Sequence, residues 1–312
     1  MTRVSVIPAC ALLLLALAGC VVSPMIPAWS GAPQEQLTLT RESGFIVPAT
    51  VNGQPVRLRV ETGYAGVVLN PDVAARVRLR ESIFENDIML GPVRVQGHTG
   101  VAPLGIGGQS DSRRIVWFDS DITAGADGVI NIADLPYASV TLQLGAPRPG
   151  EVETSLATIP SPFWNLTHRI QAGREEIIVR FLLEAQDTLL TAAAGAHLAP
   201  LHGGSWSGDP FAHTIRFGIS RPVRPMAFSR PLLIGNLAID RALVRTSDFR
   251  GNFALPTDPA ADPGEVVVTG QGRRTRAQFT AILGADTLSR CSSLTYVGVA
   301  RTLTLRCGNP AR

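Results

Sequence analysis

The sequence predicts an all-β fold with a few short helices, built as two related halves. Three observations carry that expectation. Short apolar runs alternate with a period of two residues, as half-buried strands do. Turn residues punctuate them closely, with 30 Gly and 23 Pro among 312 residues. A weak internal repeat runs across roughly residues 40 to 308, and a repeat shapes the reading of everything between its copies.

The chain opens with a processing signal, expected over 1–19. Arg3 supplies the positive region and Val4 to Ala18 an apolar one, ending in Leu17-Ala18-Gly19-Cys20. That ending resembles the bacterial lipoprotein box, which implies that Cys20 is lipidated and becomes the mature N-terminus. An ordinary secretory signal or a membrane anchor are the alternatives, although the apolar run is short for a span. Val21 follows where the enterobacterial rule places an aspartate for inner-membrane retention, so an outer-membrane anchor facing the periplasm is expected. Residues 20–36 contain Pro24, Pro27 and Pro33 without sustained periodicity and read as a tether.

The first half is expected over 37–146. Gly44 to Val51 runs into Asn52-Gly53, which fits a type I′ hairpin turn. The returning strand alternates Val56, Leu58 and Val60 against Arg57 and Arg59, and ends in Glu61-Thr62-Gly63. After the apolar run Val67-Val68-Leu69, Asn70 as N-cap and Pro71 at the first helical position predict a helix. Gly105 to Ser110 reads as a glycine-rich hairpin tip, a candidate flap over a cleft. Val129-Ile130-Asn131 leads into the strand Val140 to Leu144. Residues 147–168, rich in proline, are expected to connect the halves.

The second half, 169–308, repeats the order. Ile177 to Leu183 is a strand leading to Glu184-Ala185-Gln186, and Thr191 caps a helix. Strand-like runs follow at Pro231 to Gly235 and Leu243 to Arg245, then a polar loop from Asp258 to Gly264 and a strand over 265–270. Ile282-Leu283-Gly284 precedes the strand Leu294 to Val297.

Strand, Glu61-Thr62-Gly63, apolar strand and short helix resemble the retropepsin-like aspartic peptidases, whose hallmark is Asp-Thr-Gly in this setting. Ile282-Leu283-Gly284 matches the family's second signature, two apolar residues and a glycine, and Asn131 replaces that glycine in the first half. The resemblance implies a bilobal, pepsin-like molecule of two β lobes with a cleft for a peptide or protein ligand. It also implies a carboxyl dyad, with Glu61 and Glu184 in the two matching positions and Thr62 and Gly63 supporting the first loop. Such a dyad holds a water and shares one proton. Each glutamate is a methylene longer than aspartate, and a shift of about 1 Å can cost on the order of 10²-fold. Ala185-Gln186 also lacks the glycine and hydroxyl of the first triplet. The expectation is therefore a degenerate peptidase that keeps its peptide cleft, with Glu61 the more buried of the pair. An active acid endopeptidase and a non-catalytic envelope scaffold are the rivals.

Composition narrows the rest. All 28 basic residues are Arg, which excludes a P-loop lysine, a Schiff-base lysine and a Ser-Lys dyad. The net charge is +3 and the arginines are scattered, so no nucleic-acid surface is expected. His98, His168, His197, His202 and His213 show no paired metal spacing, and neither a metal nor a cofactor is expected. Of the four cysteines, Cys291 and Cys307 lie symmetrically about a turn near Gly298 to Arg301 and are expected to form a disulfide across a terminal hairpin.

Overall fold

The computed structural model describes residues 29–90, 93–159, 166–248 and 277–308. Within them the chain is mostly strand. Strands β1 (Gln34–Thr40), β2 (Ile46–Val51), β3 (Gln54–Glu61) and β4 (Val67–Leu69) precede helix α1 (Pro71–Arg76). Then come β5 (Ile88–Leu90), β6 (Val93–Val95), β7 (Gly97–Ile106), β8 (Gln109–Phe118) and β9 (Gly128–Asn131), a 3-10 turn at Ile132–Asp134, and β10 (Tyr137–Gln143). Strand β11 (Glu151–Ala157) leads to β12 (Thr167–Ala172), β13 (Glu175–Phe181), β14 (Leu189–Leu190) and helix α2 (Ala192–His202). The chain finishes with β15 (Gly204–Trp206), β16 (Phe211–Arg216), β17 (Ile219–Ile234), β18 (Leu237–Arg245), β19 (Thr280–Leu283), helix α3 (Ala285–Leu288), β20 (Cys291–Val297) and β21 (Thr302–Gly308). The all-β expectation with a few short helices holds.

The internal repeat is visible in the strand order. Six strands of the first half close a barrel in the order β2-β3-β9-β4-β8-β7, and the second half has a sheet running β12-β13-β19-β14-β18-β17-β15. Pair directions agree as well. β3 is parallel to β9 as β13 is to β19, β4 is antiparallel to β9 as β14 is to β19, and β4 is parallel to β8 as β14 is to β18. Alternation explains the inner faces, since Val56, Leu58 and Val60 are buried on β3 and Ile177, Val179 and Phe181 on β13. A third sheet, β1-β10-β20-β21-β11, takes strands from both halves. Leu39, Leu142, Leu294 and Leu305 form a buried row across it, each opposite the next.

Local chemistry sets several boundaries. Asn52 and Gly53 take φ of 51° and 73°, the left-handed pair that a type I′ turn requires. Thr191 Oγ1 accepts from Ala194 N at 3.3 Å as the cap of α2, and Gly203 closes the helix at φ 62°. Asp248 reinforces the N-terminal end of α2, its two oxygens accepting from Ala192 N at 2.7 Å and Ala193 N at 2.9 Å. Cys291 and Cys307 stand opposite each other on β20 and β21 and are disulfide-bonded.

Four expectations need correction. The tether does not extend to Gln36: β1 begins at Gln34, and Trp29 already docks on the body by donating from Nε1 to Asp134 O at 2.8 Å. The stretch 147–168 is not a simple connection, because β11 lies inside it and pairs along β21 from Glu151 to Ala157. Asn70 precedes α1 but makes no side-chain cap; its amide instead fastens the loop ahead of β9, bonding Ile122 N, Thr123 and Ala126 O. Gly107, at the tip of the β7–β8 hairpin where a flap was expected, packs against Gln34 and Tyr137 at the start of the linking sheet. Cys20, the loop at 258–264 and the strand expected over 265–270 lie outside the described residues.

Candidate carboxyl site between the two halves

Glu61 is the last residue of β3, and the parallel partner strand sets Asn131 opposite it. The loop that follows is held by its neighbours. Asn131 donates its side-chain amide to Tyr64 O, Asn131 N donates to Gly66 O at 3.0 Å, and Gly66 N donates to Asp134 Oδ2 at 2.7 Å. Gly66 takes φ 74°, a conformation that suits glycine. Thr62 is buried, but its hydroxyl makes no hydrogen bond among the described residues, so the support expected from it is not seen through that group.

Alignment of the two halves by structure changes the expected match. Setting the buried faces of β3 and β13 together pairs Val60 with Phe181. The residues that precede the helices, Asn70 with Thr191 and Asn131 with Gly284, then fall into line. Strand registers agree, since Val60 faces Ile130 as Phe181 faces Leu283, and Val68 faces Val129 as Leu189 faces Ile282. The residue matching Glu61 is therefore Leu182, and the residue matching Gly63 is Glu184. The second carboxylate comes from two positions further along its loop than the first. That loop holds its shape without a glycine. Ala285 N and Asp286 N donate to Ala185 O and Gln186 O at 2.7 and 2.9 Å, and Gly284 N donates to the Thr188 hydroxyl at 3.2 Å.

The structure nevertheless brings Glu61 and Glu184 together. Glu61 is only 5% exposed, and its carboxyl lies within hydrogen-bonding reach of Glu184. Burial first, then the charge and hydrogen bond of Glu184, raise the Glu61 pKa well above the ordinary carboxyl value, against weaker pulls from Arg59 and Arg216. Oε2 of Glu61 is buried without a hydrogen-bond partner among the described residues. The Glu184 side chain is 27% exposed, so Glu61 is the more buried member. Gly63 makes this contact possible: a Cβ there would collide with Glu184 Oε1 and lie 3.1 Å from Arg216 Nη2. The support expected of Gly63 thus takes the form of space.

Three further residues complete the site, and the sequence did not single them out. Arg216, at the end of β16, binds Glu184 Oε1 through Nη2 at 2.8 Å. Its guanidinium lies 3.8 Å from the centroid of the buried Tyr64 ring, a cation–π geometry. Burial pushes the Tyr64 phenol upward. Arg180 is the third; burial and then the neighbouring Arg216 push its guanidinium down to about 9, against the pull of Glu184. The contacts of Arg216 with Tyr64 and Glu184 join segments far apart in the chain, so periodicity carries no trace of them.

Chemically, the site holds one acid biased toward its neutral form beside one carboxylate fixed by an arginine. Compared with known proteins, the chain matches no protein-family model and no curated protein.

Proposed function

We propose that this protein is an aspartic-peptidase-like envelope lipoprotein that binds peptide segments in the cleft between its halves and does not hydrolyse them. The observation that carries the reading is the loss of equivalence at the site. Leu182 stands where a second carboxylate matching Glu61 would stand, and Glu184 is tied to Arg216. A hydrolytic dyad needs both carboxyls free to exchange protons around one water. Here Glu184 is instead held in an ion pair, its Oε1 2.8 Å from Arg216 Nη2. The duplicated strand order, the shared central sheet and the resemblance at Glu61-Thr62-Gly63 support the bilobal aspartic-peptidase-like assignment.

A second reading, an acid endopeptidase working through Glu61 and Glu184, is favoured by one specific observation, the carboxyl contact with its raised Glu61 pKa. One assay separates the two. Purified protein is incubated with a broad peptide library from acid to neutral pH, and products are read by mass spectrometry. Intact peptides are expected, with a subset retained on immobilised protein. Cleavage by the wild type that disappears in Glu61→Gln would overturn the proposal.

The anchoring belongs to the same proposal. Lipid on Cys20 would hold the protein at the outer membrane, facing the periplasm. A disulfide agrees with that oxidising compartment.

A further inference from the structure

The β16–β17 hairpin ends in an unusual turn. Phe217 and Gly218 take φ of 53° and 69°, the same left-handed pair as Asn52-Gly53. Asparagine or glycine suits the first position of such a turn, whereas a bulky aromatic there is a backbone outlier. An outlier of this kind persists only where surrounding contacts compensate it. Here the compensation lies in the other half of the molecule. The Phe217 ring packs on the cluster formed by Tyr64, Val68, Val116, Phe118 and Val129, with its centroid 5.0 Å from that of Phe118. The residue before it, Arg216, lies on Tyr64 and is bonded to Glu184. His213, on the same hairpin, faces Asp187 of the Glu184 loop at 3.8 Å.

The tip therefore occupies the site as a ligand would, with a guanidinium bonded to Glu184 and an aromatic ring on the adjoining apolar cluster. We infer that Arg216-Phe217 is an internal stand-in for the protein's true ligand, a peptide segment in which an arginine precedes an aromatic residue. The tip must swing away for that ligand to enter. The inference rests on the cleft reading above and adds to it both the ligand's chemistry and its control. Charge selects the first position, because the partly exposed Glu184 beside the buried Glu61 and the Tyr64 ring face together favour a planar cation. Apolar area selects the second. A site closed by its own hairpin shows an affinity lowered by the fraction of open molecules, so removing the tip should reveal the intrinsic value.

The test uses fluorescently labelled acetyl-Gly-Arg-Phe-Gly amide, with Gly-Glu-Phe-Gly as the control, and the full chain in three forms. Fluorescence anisotropy should show the Arg216→Ala, Phe217→Ala variant binding the arginine peptide about tenfold more tightly than the wild type. Adding Glu184→Gln to that variant should abolish the gain, and the acidic peptide should bind none of them. Equal affinity of wild type and tip variant, or equal binding of both peptides, would overturn the inference. A second measurement needs no variant. Saturating the wild type with the arginine peptide should speed amide hydrogen exchange across residues 211–219, and unchanged exchange with peptide bound would overturn it as well. Failure of the cleft reading looks different: no form binds any peptide, or the library is cleaved.

Discussion

Glu61 connects the buried geometry to a measurable pH response. Its ordinary value would be 4.5, and burial beside Glu184 raises it well above that in the folded state. As pH rises past the ordinary value, the unfolded chain gives up a proton that the folded protein retains. The stability contributed by this group is thus complete below about 4.5 and declines as pH climbs through the raised folded value, by about 1.4 kcal/mol per pH unit within that window. Glu61→Gln should flatten the decline and leave the protein more stable than the wild type at neutral pH. Denaturant midpoints measured across pH for both proteins test this, and parallel curves would contradict it. The importance of Glu61 could be read from its strand and triplet. Arg216 could not, because only the folded chain sets its guanidinium on Tyr64 and Glu184.

At the scale of elements, the repeat was legible because alternation and helix starts recur in the same order. What misled was the second triplet. Glu184 attracted the match because it is acidic and follows a strand, but β13 stops at Phe181 and its buried phase assigns Leu182 to the position of Glu61. Register depends on which face is buried, and a lone carboxylate gives no information about that. The terminal hairpin was legible from its turn, although counting outward sets Ser292 opposite Cys307, and a register shift between Cys291 and Ser293 brings Cys291 there instead. This bond closes a loop between positions 16 apart, worth about 3 kcal/mol on the chain-entropy model. Replacing both cysteines with alanine should lower the unfolding free energy by about that amount. A denaturation curve that superimposes on the wild type's would show that the staple contributes nothing.

At the scale of the whole molecule, the central sheet joins strands from both halves, and the N-terminal segment is drawn onto the body as early as Trp29. From Cys20 to Trp29 the chain can span at most about 30 Å. If Cys20 carries lipid, the folded body rides close to the membrane surface instead of ranging freely from it. Cys20→Ser should shift the protein from the membrane fraction to the soluble one, and unchanged fractionation would count against the anchor. Sequence reading placed this tether's end too late because β1 is an edge strand with a mixed burial pattern. The offset between Glu61 and Glu184 has a consequence of its own. Two equivalent carboxylates related by a two-fold axis would offer the same groups to a chain laid across them from either end. Here one approach meets the buried Glu61 first and the other meets Glu184, already clasped by Arg216. In the proposed cleft, that broken symmetry would give a bound peptide a direction, so a sequence and its reverse would be different molecules to it.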